Sequence, residues 1–403
     1  MKESPVAACL PLVLTAIFYS AFCIRFGCQA KEVRSEPTRV VCLGDSITDG
    51  DTYPQIIMQS LREAGSRVPA FICSGVGGDT AQMMDARFDK TVAEFQPDIV
   101  TVSASTNDAL QNVSPESYGS SIRSIVAKAK TMGAKVVLLT PCECLARTGN
   151  TEAEKEESLQ VIHNRLDAYE AIIRKIGAED GCLVAENRKL MTDSLKAGNI
   201  LFVEDNIHPN YLGQSLMARS ILDAMGHREV ALPRSFEPKS IPGLVEKWMV
   251  RLSPLDAKGV PIRLTGETVG DLAPDRTWTQ LELPEDRPLA NSPEIWPEQM
   301  RRNGCAMEME ALLGKGELAQ GVAELTSADG GQAFVQTGMR IKSIWLNGLK
   351  IHDQNTTWTG VHPGKERIPV SLKKGVNRLI IEFGSDFFLA VTPGLVWEET
   401  HVH

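Results

Sequence analysis

The stretch Arg39-Val40-Val41-Cys42-Leu43-Gly44-Asp45-Ser46 decides the reading of this chain. A short apolar run ends in a glycine, and an acid and a hydroxyl follow where the backbone must turn. The same pattern recurs downstream. Pro69 to Cys73 leads into Gly75-Val76-Gly77-Gly78-Asp79-Thr80, and Asp98 to Val102 leads into Ser105-Thr106-Asn107-Asp108. Lys135 to Thr140 is the clearest strand, and Cys182 to Ala185 makes a fifth. Helical patterns separate these runs. Pro54 opens one through Ile56, Ile57, Leu61 and Ala64. Ser114 and Pro115 read as the cap and first residue of another, with Ile122, Ile125, Val126 and Ala129 on its apolar face. A long charged helix is expected from about Thr151 to Ile176, and a closing one from Pro209 to Met225. Short apolar strands alternating with helices imply a parallel sheet covered on both faces. Ligands of such sheets lie beyond the carboxyl ends of the strands, where the polar clusters fall here.

A chain of 403 residues has room for two domains at ~100–200 residues each. With 43% hydrophobic and 23% charged residues it is neither disordered, fibrous nor a multi-span membrane protein. A net charge of −9 without a long Lys/Arg run argues against nucleic acid as a partner.

Residues 1–30 read as a leader. Lys2 is followed by an almost wholly apolar run from Val6 to Ile24, and Cys28-Gln29-Ala30 offers a small-residue cleavage site. A signal peptide is expected, with an uncleaved membrane anchor or a lipoprotein as rivals. The protein is then secreted or held in the cell envelope or periplasm, touching a membrane only through that leader. Of nine cysteines, Cys9, Cys23 and Cys28 belong to the leader. Cys42, Cys73 and Cys182 lie in apolar runs and read as small buried hydrophobes. Cys142-Glu143-Cys144 has no second Cys/His pair at zinc spacing, and no metal site or organic cofactor is expected.

After Gly226 the texture changes. Residues 228–243 contain three prolines and read as a linker between domains at 36–227 and 244–403. All six tryptophans lie in the second half. Ile341 to Leu346 ends at Asn347-Gly348, a hairpin dipeptide, and Arg367 to Leu372 ends at Lys373-Lys374-Gly375. Asn377 to Phe383 ends at Gly384-Ser385-Asp386, and Phe387 to Val391 follows. This is the texture of an all-β sandwich. Most of the tryptophans are expected to fill its core, with Trp358 exposed in a polar loop.

Four polar segments of the first half make an acyl-transfer site. Ser46 is the candidate nucleophile, and a serine hydroxyl needs an adjacent base. His208 is the candidate base; the other histidines lie mid-helix, in the linker or in the second half. Asp205, three residues earlier, can orient the ring and stabilise the imidazolium. The backbone N–H groups of Ser46 and Gly78 and the amide of Asn107 are the candidate oxyanion donors. Each segment alone is an ordinary turn or cap; four in this order are not.

Those segments resemble the conserved blocks of the SGNH hydrolases, or GDSL-type esterases/lipases. Gly44-Asp45-Ser46 resembles the first block, Gly78 and Asn107 fall at the family's oxyanion glycine and asparagine, and Asp205-x-x-His208 resembles the last block. The resemblance covers roughly residues 38–225. It implies a three-layer α/β/α flavodoxin-like fold and ester hydrolysis through a serine acyl-enzyme. Ser105 departs from the pattern, standing where the third block usually has glycine. No Gly-x-Ser-x-Gly elbow surrounds Ser46, as the common α/β-hydrolase fold would require. The second half is similar to the galactose-binding-like jelly-roll modules of carbohydrate-active enzymes, through 342–348 and 372–381. By that analogy the favoured substrate is an O-acetylated carbohydrate, small or polymeric. The rivals are a lipid- or aryl-ester hydrolase of the same family, a thioesterase, and an inert carbohydrate-binding protein.

Overall fold

The computed structural model describes residues 38–50, 52–234, 243–283, 318–353 and 366–394, with a few isolated positions between 307 and 316. The expected leader, Trp296, Trp358, Trp397 and Cys305 lie outside the described residues.

The first half alternates as its sequence requires. Its elements are β1 (Arg39–Gly44), α1 (Ser46–Asp49), α2 (Thr52–Glu63), β2 (Ala70–Gly75), α3 (Ala81–Thr91), β3 (Ile99–Ser103), α4 (Thr106–Leu110), α5 (Pro115–Thr131), β4 (Lys135–Leu139), α6 (Glu152–Asp180), β5 (Leu183–Ala185), α7 (Asn187–Lys196) and α8 (Tyr211–Ala224). The five strands form a parallel sheet in the order β2-β1-β3-β4-β5.

Strand alternation divides the core in two. Val41 and Leu43 join Val100, Val102, Val136 and Leu138 against α3, α5 and α6. Val40 and Cys42 join Phe71, Val137 and Leu139 against α2, α7 and α8. Helices therefore cover both faces, and the three-layer α/β/α fold stands. Ser114 caps α5 by accepting from Ser117 N. Thr151 and Glu154 form a capping box on α6, which runs past the expected Ile176 to Asp180 and stops at Gly181. Helices α3 and α7 were not evident in the sequence. No helix among the described residues is long and apolar enough to cross a membrane.

The second half contributes β6 (Lys247–Leu252), α9 (Gly266–Gly270), β7 (Thr279–Glu282), β8 (Ala319–Ser327), β9 (Gly331–Leu346), β10 (Leu349–Asp353), β11 (Glu366–Leu372) and β12 (Gly375–Thr392). All pairings are antiparallel, in the order β10-β9-β12-β8-β6-β7, with β11 on β9. One expectation is corrected here. Gly384-Ser385-Asp386 does not end a strand; it lies inside the 18-residue β12, where the register with β9 shifts. Before the shift β12 pairs with β8 and the end of β9; after it, with the beginning of β9. A bulge bends a strand without breaking it. Asp386 uses its side chain there to accept from Met309 N, and Phe387 exchanges backbone hydrogen bonds with Met307.

Residues from both sides of the bulge share one core, with Val250, Ala323 and Leu379 packing with Val335, Phe387 and Leu389. This is a sandwich whose layers are joined by strands. The Asn347-Gly348 turn has positive φ at both residues, 52° and 85°, as a two-residue hairpin requires. Trp248, Trp278 and Trp345 are buried core fillers.

Candidate active site

β1 delivers its carboxyl end to a sharp turn. A side chain at Gly44 would collide with Thr48 Oγ1. The missing Cβ lets α1 begin at once. Asp45 caps α1 by accepting from Ile47 N at 2.9 Å, and Ser46 follows at the first helical position.

The imidazole arrives from 162 residues downstream. A tight turn carries it: Asn206 N donates to Val203 O, Val203 N donates to His208 O, and Asn206 takes φ 58°. Inside this turn Asp205 Oδ1 accepts from Ile207 N (2.9 Å) and His208 N (3.0 Å), which leaves Oδ2 for the ring, 2.5 Å from His208 Nδ1. The other ring nitrogen, Nε2, lies 2.7 Å from Ser46 Oγ. Burial works to raise the Asp205 pKa, but the His208 and Ile207 N–H groups and the imidazole outweigh it and hold the carboxyl below its usual range.

The glycine loop after β2 passes against the serine. A Cβ built on Gly77 would lie 3.8 Å from Ser46 Cβ, and one on Gly78, at φ 85°, would meet only open space. Asn107, at the start of α4, donates from Nδ2 to Asp79 O at 3.1 Å and, more weakly, to Asp45 Oδ2 at 3.4 Å. The structure thus joins Ser46, His208 and Asp205 in one relay, with the Gly77–Gly78 loop beside the serine and Asn107 tied to that loop.

Ser105 has φ 152°, a backbone region that favours glycine, and it is buried at the entrance to α4. Acids crowd behind the site. Burial pushes Asp45 up to about 7 and Asp108 up to about 6, against the lowering hydrogen bonds each accepts. Asp108 spends both carboxylate oxygens on Ala81 N, each at 3.1 Å.

Several supporting residues escaped the sequence reading. Asp79 is ion-paired with Arg87. His163, set aside as mid-helix, places Nε2 3.0 Å from Cys144 O and 3.2 Å from Glu143 Oε1. Buried Glu143 also pairs with Arg188 at 3.2 Å. Leu145 N, in the same loop, donates to Asn206 O in the turn that carries His208. A lone Arg or Glu carries no local signal, because its partners are distant in the chain. Among the described residues Cys42, Cys73, Cys142, Cys144 and Cys182 form no disulfide; the first four are buried and Cys182 is half-buried. No group of His, Cys, Asp and Glu suited to a metal occurs among the described residues.

A three-layer α/β/α sheet with this relay at its carboxyl rim is the architecture of an acylhydrolase. Residues 42–216 match the GDSL-like lipase/acylhydrolase family. Over 218 residues the chain is 22% identical to an acetylxylan esterase of Geobacillus stearothermophilus, covering 47% of this chain and 94% of that protein. It is 27% identical over 124 residues to an arylesterase of Vibrio mimicus, covering 29% of this chain and 58% of the relative. Among solved structures it is similar to an α/β hydrolase enzyme from the metagenome of Lake Arreo, Spain, at 23% identity and a TM-score of 0.41, over 47% of this chain and 96% of that one.

Proposed function

We propose that the protein is an exported serine esterase that removes O-acetyl groups from carbohydrate. The observation that carries this reading is the unbroken relay from Ser46 Oγ through His208 to Asp205, at 2.7 and 2.5 Å. Ser46 Oγ attacks the ester carbonyl as its proton passes to His208 Nε2. The backbone N–H groups of Ser46 and Gly78 and the Asn107 amide receive the oxyanion. Collapse of the tetrahedral intermediate breaks the ester C–O bond, and His208 returns the proton to the leaving alcohol. Water, deprotonated by His208, then attacks the acyl-enzyme, and Ser46 leaves with that proton. Asp205 holds the ring in the tautomer with hydrogen on Nδ1 and stabilises the imidazolium.

The acetyl-carbohydrate choice draws support from the acetylxylan esterase relative and from the appended sandwich. The arylesterase relative favours a second reading, hydrolysis of aryl esters. Acetate release from acetylated xylo-oligosaccharides, compared with turnover of phenyl acetate, separates the two. Higher kcat/KM on the sugar ester is expected; preference for the aryl ester overturns the carbohydrate assignment. Loss of under tenfold on Ser46→Ala, where about 10⁶ in kcat is expected, overturns the mechanism.

A further inference from the structure

We infer that Arg87 is a positioning residue that sets the spacing of the oxyanion donors; this rests on the esterase reading above. Arg87 projects from α3 beneath the glycine loop. A guanidinium has five N–H donors in a rigid fork, and here each has an acceptor. Nε donates to Asp79 Oδ2 at 2.5 Å. Nη1 donates to Ser74 Oγ at 2.8 Å and Thr91 Oγ1 at 2.9 Å. Nη2 donates to the carbonyls of Gly44 and Ser74, both at 2.9 Å.

Those acceptors are not scattered. Gly44 ends β1, two residues before Ser46. Ser74 lies at the end of β2, where the glycine loop begins. Asp79 follows Gly78, and its own carbonyl accepts from the Asn107 amide. The three candidate oxyanion donors belong to three separate chain segments. One side chain fastens two of those segments directly and reaches the third through Asp79. Donor spacing is what an oxyanion hole must fix in advance, and a shift of about 1 Å can cost about 10²-fold.

Lysine keeps the charge and can still pair with Asp79, but a single ammonium cannot bridge Gly44 O and both Ser74 acceptors. Arg87→Lys should therefore lower kcat by about 10–100-fold while KM for the ester stays within about threefold. The decisive readout is affinity for a simple boronic acid, which forms a tetrahedral adduct on serine. Its Ki should rise in proportion to the loss in kcat/KM, which a merely structural role would not produce once active-site concentration is normalised. In Arg87→Ala, millimolar guanidinium should restore part of kcat. Wild-type kcat in Arg87→Lys, or an unchanged boronic acid Ki beside a lowered kcat, overturns the proposal and leaves the esterase reading intact. Wild-type protein inactive on every ester overturns both.

Discussion

Asp205→Asn offers a test in which the geometry dictates the chemistry. Asp205 Oδ1 sits between two backbone donors, Ile207 N and His208 N. An asparagine must keep its carbonyl oxygen there, since an NH₂ group cannot accept two N–H bonds. Its NH₂ therefore lands where Oδ2 now faces His208 Nδ1. A donor at that point forces Nδ1 to accept, so the ring proton moves to Nε2 and faces Ser46 Oγ. In that tautomer the ring cannot take the serine proton, and the imidazolium loses its carboxylate. The comparable change in serine proteases costs about 10⁴ in kcat, or about 5 kcal/mol. The assay is steady-state hydrolysis of p-nitrophenyl acetate at pH 7–8, with circular dichroism to show the fold intact. Retention of more than a tenth of wild-type kcat would refute the argument.

Three further outcomes are expected. Asn107→Ala should lower kcat by about 10²–10³ with little change in KM, measured on the same ester. Asp45→Asn should flatten the pH dependence of stability. Asp45 is buried and its carboxyl is pushed up to about 7, so the native state keeps a proton that the unfolded chain loses near pH 4. Stability therefore falls as pH rises through that window, by about 4 kcal/mol in all at 1.36 kcal/mol per pH unit, and urea titrations from pH 4 to 8 should lose this slope in the variant. Ser105→Gly should raise Tm, because relief of about 1–3 kcal/mol of backbone strain outweighs about 1 kcal/mol of glycine entropy; a lower Tm would show that φ 152° is unstrained.

The strands of the first half were legible because each is a continuous apolar run, as a sheet buried on both faces demands. The caps at Ser114 and Thr151 marked their helices by local chemistry that tertiary context left unchanged. Helix α3 was obscured: Asp85, Arg87, Asp89 and Lys90 dominate its sequence, and only Ala81, Met84 and Phe88 are buried. The break placed at Gly384-Ser385-Asp386 failed for the opposite reason. Turn-forming residues there serve a bulge, and the pairing that keeps the strand continuous comes from β9, far away in sequence. The same contrast holds at the site. Ser46, Asp205, His208, Gly78 and Asn107 could be named because each occupies a set place after a strand or before a helix. Arg87, Glu143 and Arg188 could not, since Arg87 has acceptors as far as 43 residues away and Glu143 accepts from Arg188, 45 residues on.

The two long strands of the sandwich also bear on how that half comes apart. β9 and β12 pair with each other on both sides of the bulge, so one continuous ladder ties β8 and the end of β9 to the beginning of β9. Amide protons on the two sides of the bulge should therefore exchange with deuterium at a common slow rate, opening as one cooperative unit rather than as an edge that frays while the remainder holds.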